Sequence, residues 1–479
     1  MAEVRQIREA IIAAIPYETS NYGQSPDPGQ VYIPRAHIKA LKLESNLIVG
    51  ARGVGKSFWT AALNAPHLRS ILGTSVRELE RTQVSVGFSS RADNDAYPNN
   101  EVFADLLTRN FEPCDIWRAV AVRGVADLVP DPVPVTDWRT TVDWVRSEPE
   151  PVERLMQQAD RALGEQGQKK LIVFDALDRT SHDWHMMDSI VRDLLRVVLW
   201  LKSYPMIHAK VFLREDQFNR TVTDFPDASK LLATKSELTW EPHDLHGLLW
   251  QFLCNAPRQH DGEILRSVYR DILGNDPERR QNVWSLAEEA KREGPKQREL
   301  FKALAGAWMG KDRRRGVPYV WAISHLADTR GQTSPRSFLI AIRAAAEDSL
   351  EKYPIHNLAL YYESVKRGVQ KASEIRIAEI AEDYPWAKAL CDPLAGLNVP
   401  CEFSLIEERW RQQLDDPSAI SRDRLPPQHG GRGSSGLFED LRRLGIFERM
   451  KDGRVNMPDL YRVGFGLGRR GGVKPSNRG

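Results

Sequence analysis

Residues 46–59 read Asn-Leu-Ile-Val-Gly-Ala-Arg-Gly-Val-Gly-Lys-Ser-Phe-Trp. A short apolar run (Leu47, Ile48, Val49) enters Gly50-x-x-x-x-Gly55-Lys56-Ser57, and Phe58 to Leu63 follow as the first turns of a helix. Strand, glycine-rich turn and helix in that order make up the phosphate-binding P-loop with its structural context. Gly50, Gly53 and Gly55 let the backbone curl, so that N–H groups along Gly50, Ala51, Arg52, Gly53, Val54 and Gly55 converge on phosphate oxygens. The N-terminus of the new helix faces the same anion. Lys56 is placed to neutralise the β and γ phosphates, and the Ser57 hydroxyl to ligate Mg²⁺. The competing reading is a glycine-rich turn that matches by accident. Pattern and context together favour a nucleoside-triphosphate site.

At 479 residues the chain exceeds one compact domain, and its 41% hydrophobic and 28% charged content suits a protein with sizeable cores. No uninterrupted apolar stretch is long enough to span a bilayer, and the amphipathic start, with Glu3, Arg5, Arg8 and Glu9, is not a signal peptide. Cys114, Cys254, Cys391 and Cys401 are scattered without a C-x-x-C pair, which fits a reducing cytoplasm. Net charge is +2, but residues 421–479 hold 13 Lys/Arg against 6 Asp/Glu, a local +7. Such an end suits an acidic partner such as DNA, or is a solvated face.

Taken in order, residues 1–30 read as a helix and a linker rich in Ser, Asn, Gly and Pro. Residues 31–258 read as the nucleotide-binding core, with Tyr32, Ile33 and Arg35 as candidates to wall the base. Its strands are expected at Leu47–Val49, Gln83–Phe88, Lys169–Phe174, Lys210–Arg214 and Glu237–Trp240, with helices between them and an irregular insert at Val133–Trp144. This alternation predicts an α/β fold, a parallel sheet covered by helices on both faces. Residues 259–365 give only helical signals and predict a helical lid subdomain. Residues 366–479 predict a winged-helix-like region. There Pro426–Gly436 reads as a flexible break, Leu437–Gly445 as a helix, and Asp452-Gly453 as a tight turn between two strands.

The second half of a nucleotide site needs an acid at the end of a buried strand. Asp175 has that position and is expected to hold Mg²⁺ together with Ser57. Ala176 stands where many ATPases carry a glutamate base, so Asp178 becomes the candidate for orienting water, with turn capping as its alternative. Arg214 ends the neighbouring strand and could sense the γ-phosphate, or pair with Glu215 or Asp216. Arg336, in Thr333-Ser-Pro-Arg-Ser-Phe338, starts a helix of the lid and could couple nucleotide to lid movement. A GTPase would follow Asp175 with a D-x-x-G turn, and this chain has Ala-Leu-Asp, so ATP is the expected nucleotide. The clusters His182-x-x-His185 with Asp188, and His243 with His246, lack a third ligand at zinc-site spacing.

Asp175-Ala176-Leu177-Asp178 and Val211-Phe-Leu-Arg214, followed by helical and winged-helix regions, resemble the NACHT and KAP branch of the STAND P-loop ATPases. Arg179 departs from that pattern, which commonly has a further acid, and no sensor repeat array is visible. The resemblance implies slow or partner-stimulated ATP hydrolysis in a cytoplasmic, bacterial-type switch that signals to a protein partner or a second copy, with antiviral defence as the setting. Two other readings stay open. One is a DNA-associated ATPase using Arg442, Arg443, Arg449, Lys451 and Arg454. The other is a nucleotide-stabilised scaffold without turnover.

Overall fold

The computed structural model describes residues 2–17, 24–130, 132–181, 183–218, 221–257, 262–280, 282–414, 425–470 and 473–475. They form two compact units. The first is built essentially from residues 33–239, and the second joins the N-terminal helix and Gly29–Tyr32 to the chain from Trp240 onward.

Five parallel strands make the sheet of the first unit: β1 (Leu47–Gly50), β2 (Thr82–Phe88), β3 (Lys169–Phe174), β4 (Ile207–Arg214) and β5 (Ser236–Glu237). Their order is β2-β3-β4-β1-β5. Every residue of β1 is buried, as are Leu171–Phe174 and Ala209–Leu213, the near-continuous apolar pattern of strands covered on both faces. The helices that cover them include Lys56–Asn64, Pro149–Glu165 and Trp184–Leu201.

An aromatic cluster fills one side of this core. Trp117 meets Phe88 and Phe174 edge-on at 5.7 and 5.6 Å, and its indole N–H donates to the carbonyl of Ile190, so the ring is buried without an unpaired donor. The segment leading into β1 is held from below by Lys210. This fully buried ammonium donates to the carbonyls of Ala40, Lys42 and Ser45 at 2.6–2.9 Å.

Three expectations need correction. The stretch Val133–Trp144 is irregular only as far as Asp137: a helix spans Trp138–Ser147, capped by the Asp137 carboxylate, which accepts from the Thr140 N–H. Its buried face, Trp138, Thr141, Val142 and Val145, has helical spacing. In the second unit, a small antiparallel hairpin pairs Glu278–Arg280 with Val283–Ser285 where only helices were expected. Pro426–Gly436 is no loose break either, since His429 bonds through N and Nδ1 to the Asp440 carboxylate at 2.8 and 2.6 Å. Gly436 allows the close approach there, because a Cβ would lie 1.9 Å from the His429 carbonyl oxygen.

The second unit otherwise consists of helices, among them Pro242–Cys254, Gly262–Leu273, Pro295–Ala305, Pro318–Ser324, Pro335–Lys352 and Tyr362–Asp383. The N-terminal helix Ala2–Ala14 packs against Pro335–Lys352. Its Arg8 is fully buried and donates to four carbonyls, those of Tyr353, His356, Leu358 and Ala359, at 2.7–3.2 Å. After the helix Pro385–Cys391, Cys401 exchanges both backbone hydrogen bonds with Val455, and helices Phe403–Gln413 and Ser434–Arg443 precede the hairpin Glu448–Arg449/Val455–Asn456. Helix, strand, helix, helix and hairpin in this order are a winged-helix arrangement. Gly453 turns the hairpin with φ +89°, a conformation that favours glycine.

Candidate functional site

Residues 50–57 leave β1 and enter the helix Lys56–Asn64. The glycines serve two different physical ends. Gly53 and Gly55 take φ of +80° and +104°, which side chains resist, whereas Gly50 is a matter of space, since a Cβ there would lie 2.7 Å from Val54 Cγ2. Gly55 is the N-cap and offers no side-chain acceptor, so the first-turn N–H groups at Lys56 and Ser57 keep their affinity for an external anion. Lys56 Nζ donates to the carbonyls of Gly50 and Ala51 at 2.9 and 2.8 Å, which folds the ammonium under the loop.

Parallel strands bring their C-terminal ends to one edge, and the order of the sheet inserts β4 between β1 and β3. Arg214, the last residue of β4, is in register with Gly50, and Phe174, the last of β3, with Val211. Asp175 therefore emerges one strand beyond Arg214. Its carboxylate is buried, with the Ser57 hydroxyl and the Ala176 N–H near it. Burial raises its pKa, and these two donors together with the Lys56 cation pull the other way. Ala176 adopts the left-handed conformation, φ +56° and ψ +33°, unusual for a residue with a side chain. It turns the chain sharply into the short helical turn Leu177–Arg179, which carries Asp178.

Asp178 lies 3.5 Å from Arg214 Nη1. The other edge of the same guanidinium meets Asp216, with Nε to Oδ1 at 3.1 Å and Nη2 to Oδ2 at 3.3 Å. Lys56 feels all of these groups. Burial and Arg214 lower its pKa to about 8, while Asp175, Asp178 and Asp216 act to raise it. The first unit thus gathers Lys56, Ser57, Asp175, Asp178 and Arg214 at one edge of the sheet. Asp216 joins them, named in the sequence reading only as a rival partner for Arg214.

The core is a P-loop NTPase fold. Within it, Ile33 is partly exposed and Arg35 exposed on the segment before β1. Tyr32 belongs to the second unit, where its hydroxyl donates to Asp244 at 3.1 Å and its ring stacks near Trp240. Arg336, also of the second unit, pairs with Glu379 at 2.6 Å. Of the two histidine clusters, His182 lies outside the described residues. His246 is buried, stacked on Tyr319 at 3.9 Å, with Nε2 bonded to the Tyr319 carbonyl oxygen.

A Mg²⁺ ion fits the donor set. The Ser57 hydroxyl and the Asp175 carboxylate are adjacent hard oxygen ligands of the kind this ion takes. Among the described residues no group of three His, Cys, Asp or Glu side chains could hold a metal by itself.

No protein-family model and no curated protein matches the sequence. Solved structures with some likeness include the Aeropyrum pernix ORC2 protein in ADPNP–ADP complexes, at 12% identity and TM-score 0.38 over 93% of each chain. Another is the Aeropyrum pernix ORC1 protein in complex with DNA, at 14% identity and TM-score 0.32, over 95% of this chain and 88% of the other. With TM-scores this low, the fold and site rest on the chain's own strand order and contacts. Among the described residues no helix is long and apolar enough to cross a membrane.

Proposed function

We propose that the chain binds and hydrolyses ATP with Mg²⁺ and acts as a nucleotide-dependent switch. The observation that carries this reading is the buried Asp175 carboxylate near Ser57 and Lys56, with Arg214 in register with Gly50, which brings the two halves of a P-loop site to one edge of the sheet. The loop N–H groups and Lys56 hold the phosphates, and Ser57 and Asp175 hold the ion. When bound, Mg²⁺ would neutralise phosphate charge. Asp178 accepts from the attacking water and orients it, and Arg214 faces the charge that develops on the γ-phosphate. Ala176 stands next to Asp175 where many ATPases carry the glutamate base, and the resemblance to the STAND ATPases implies slow or partner-stimulated turnover. The resemblance of Asp175-Ala176-Leu177-Asp178 to the STAND ATPases supports a signalling role toward a protein partner or a second copy, in defence among other settings.

The test is ATP binding and phosphate release by wild type, Lys56→Ala and Asp175→Asn. Wild type should bind ATP and release phosphate, with Lys56→Ala failing to bind and Asp175→Asn binding without turnover. Equal hydrolysis by all three would end this reading. Tight binding with no phosphate released under any condition would favour the scaffold reading instead.

A second reading, a DNA-associated ATPase, is favoured by the winged-helix arrangement with Arg432, Arg449 and Lys451 exposed on it. Its other cations are partly neutralised: Arg442 and Arg443 pair with Glu439, and Arg454 with Asp452. Binding through phosphates must weaken steeply with salt, and a flat salt response would exclude it.

A further inference from the structure

We infer that Asp216 is the positioning residue of the γ-phosphate sensor: its carboxylate fixes the guanidinium of Arg214 so that the site distinguishes a triphosphate from a diphosphate. This rests on the ATPase reading and assigns a role that the P-loop motif alone does not supply.

The geometry is specific. A guanidinium presents two N–H groups along its Nε–Nη2 edge, and a carboxylate that accepts both stops the plane from rotating. Asp216 does this to Arg214 at 3.1 and 3.3 Å. With that edge held, Nη1 is directed toward Asp178, 3.5 Å away. Arg214 and Asp216 are largely enclosed, with side chains 13% and 15% exposed, so the pair is shielded from the water and salt that make surface ion pairs weak.

The turn that brings Asp216 back onto Arg214 is itself secured. The Gln217 side chain is buried, its Oε1 accepts from the Arg214 N–H at 3.1 Å, and its Nε2 lies 3.5 Å from Met187 Sδ. Arg214 is in turn placed by its register with Gly50, so whatever orients the guanidinium orients it beside the phosphate loop. An arginine left to rotate would still supply charge but not direction, and a bound diphosphate and triphosphate would then differ less.

The experiment compares wild type, Asp216→Asn, Asp216→Glu, Arg214→Ala and the double variant Arg214→Ala/Asp216→Asn. It measures kcat and KM for ATP, and equilibrium affinities for Mg-ADP and a non-hydrolysable ATP analogue. Asp216→Asn should lower kcat at least tenfold with KM within about threefold, and reduce the analogue-over-ADP preference to that of Arg214→Ala. ADP affinity should stay at the wild-type value, which also reports that the fold is intact. Asp216→Glu should recover part of kcat, and the double variant should be no worse than Arg214→Ala.

Asp216→Asn with kcat and analogue preference within twofold of wild type, while Arg214→Ala loses both, overturns the inference and leaves the ATPase reading standing. Loss of ADP affinity in Asp216→Asn overturns it too, by showing that the aspartate serves the fold of the loop. If wild type binds no nucleotide, the ATPase reading fails first and the inference falls with it.

Discussion

Nucleotide affinity should fall about tenfold between pH 7 and pH 9 because of one group, Lys56. Burial and the Arg214 cation bring its pKa to about 8, against the opposing pull of Asp175, Asp178 and Asp216. Polyphosphate needs the charged lysine and raises its pKa on binding, so binding takes up a proton near pH 8. If only the protonated form binds, the apparent Kd is multiplied by 1 + 10^(pH − pKa), about 1.1 at pH 7 and about 11 at pH 9. A lysine with the ordinary pKa of about 10.4 would change affinity by less than about 5% over the same range. Calorimetric titration with a non-hydrolysable ATP analogue at pH 7, 8 and 9, in two buffers of different ionisation enthalpy, reads both the Kd and an uptake of about half a proton at pH 8. A flat Kd from pH 7 to 9 without buffer dependence refutes the reasoning. Stability of the ligand-free protein moves the other way. The folded pKa lies below the unfolded one, so the unfolded chain binds more protons between about pH 8 and 10.5 and this residue's contribution to stability rises with pH there. Lys56→Met should remove that component from the melting temperature.

Ala176→Gly relieves the left-handed strain at φ +56° and should stabilise the protein by up to about 1 kcal/mol, raising Tm while lowering kcat as the Asp175–Asp178 spacing loosens; an unchanged or lower Tm would contradict this. Gly436→Ala drives a Cβ into the His429 carbonyl and should cost about 2–3 kcal/mol in urea melts, with a wild-type midpoint as the refuting result. Arg8→Ala leaves the carbonyls of Tyr353, His356, Leu358 and Ala359 without their donor and should cost about 3 kcal/mol. Arg8→Lys should recover little of this, because a point-like ammonium cannot span the set; full recovery would show that charge alone suffices.

Those parts of the fold whose signal is local were legible in the sequence. Lys169–Phe174 reads as a buried strand because its apolar run is continuous and closes on an acid, and the structure ends β3 at the same residue. The phosphate loop was equally plain, since its glycines are required by backbone geometry. The hairpin Glu278–Arg280/Val283–Ser285 was invisible because its first strand, Glu-Arg-Arg, is fully exposed and alternates nothing. The helix Trp138–Ser147 was obscured by Pro130, Pro132 and Pro134 just before it, although its apolar spacing was there to be counted. What no local signal encodes is adjacency. That β4 separates β1 from β3, and so sets Arg214 between Gly50 and the end of β3, depends on how distant segments pack, whereas Asp216, two residues from Arg214, was already its named rival partner. Sequence therefore named Asp175, Asp178 and Arg214 one at a time, while the partnership among them appears only in the folded sheet.

The Arg8 anchor bears on how the chain is made. Its nearest carbonyl partner in sequence is that of Tyr353, 353 − 8 = 345 residues later, a length that takes about 17–70 s to synthesise at about 5–20 residues per second. Until then the helix Ala2–Ala14, with its buried residues Ala10, Ile11 and Ala14, lacks the last of the helices it packs against, since Pro335–Lys352 follows Pro242–Cys254 and Gly262–Leu273 in the chain. The helix Ala2–Ala14 thus waits for a segment more than three hundred residues later before Arg8 finds its partners. A fragment that ends before residue 353 has none of the four carbonyls to which Arg8 donates, so its helix Ala2–Ala14 stays unanchored.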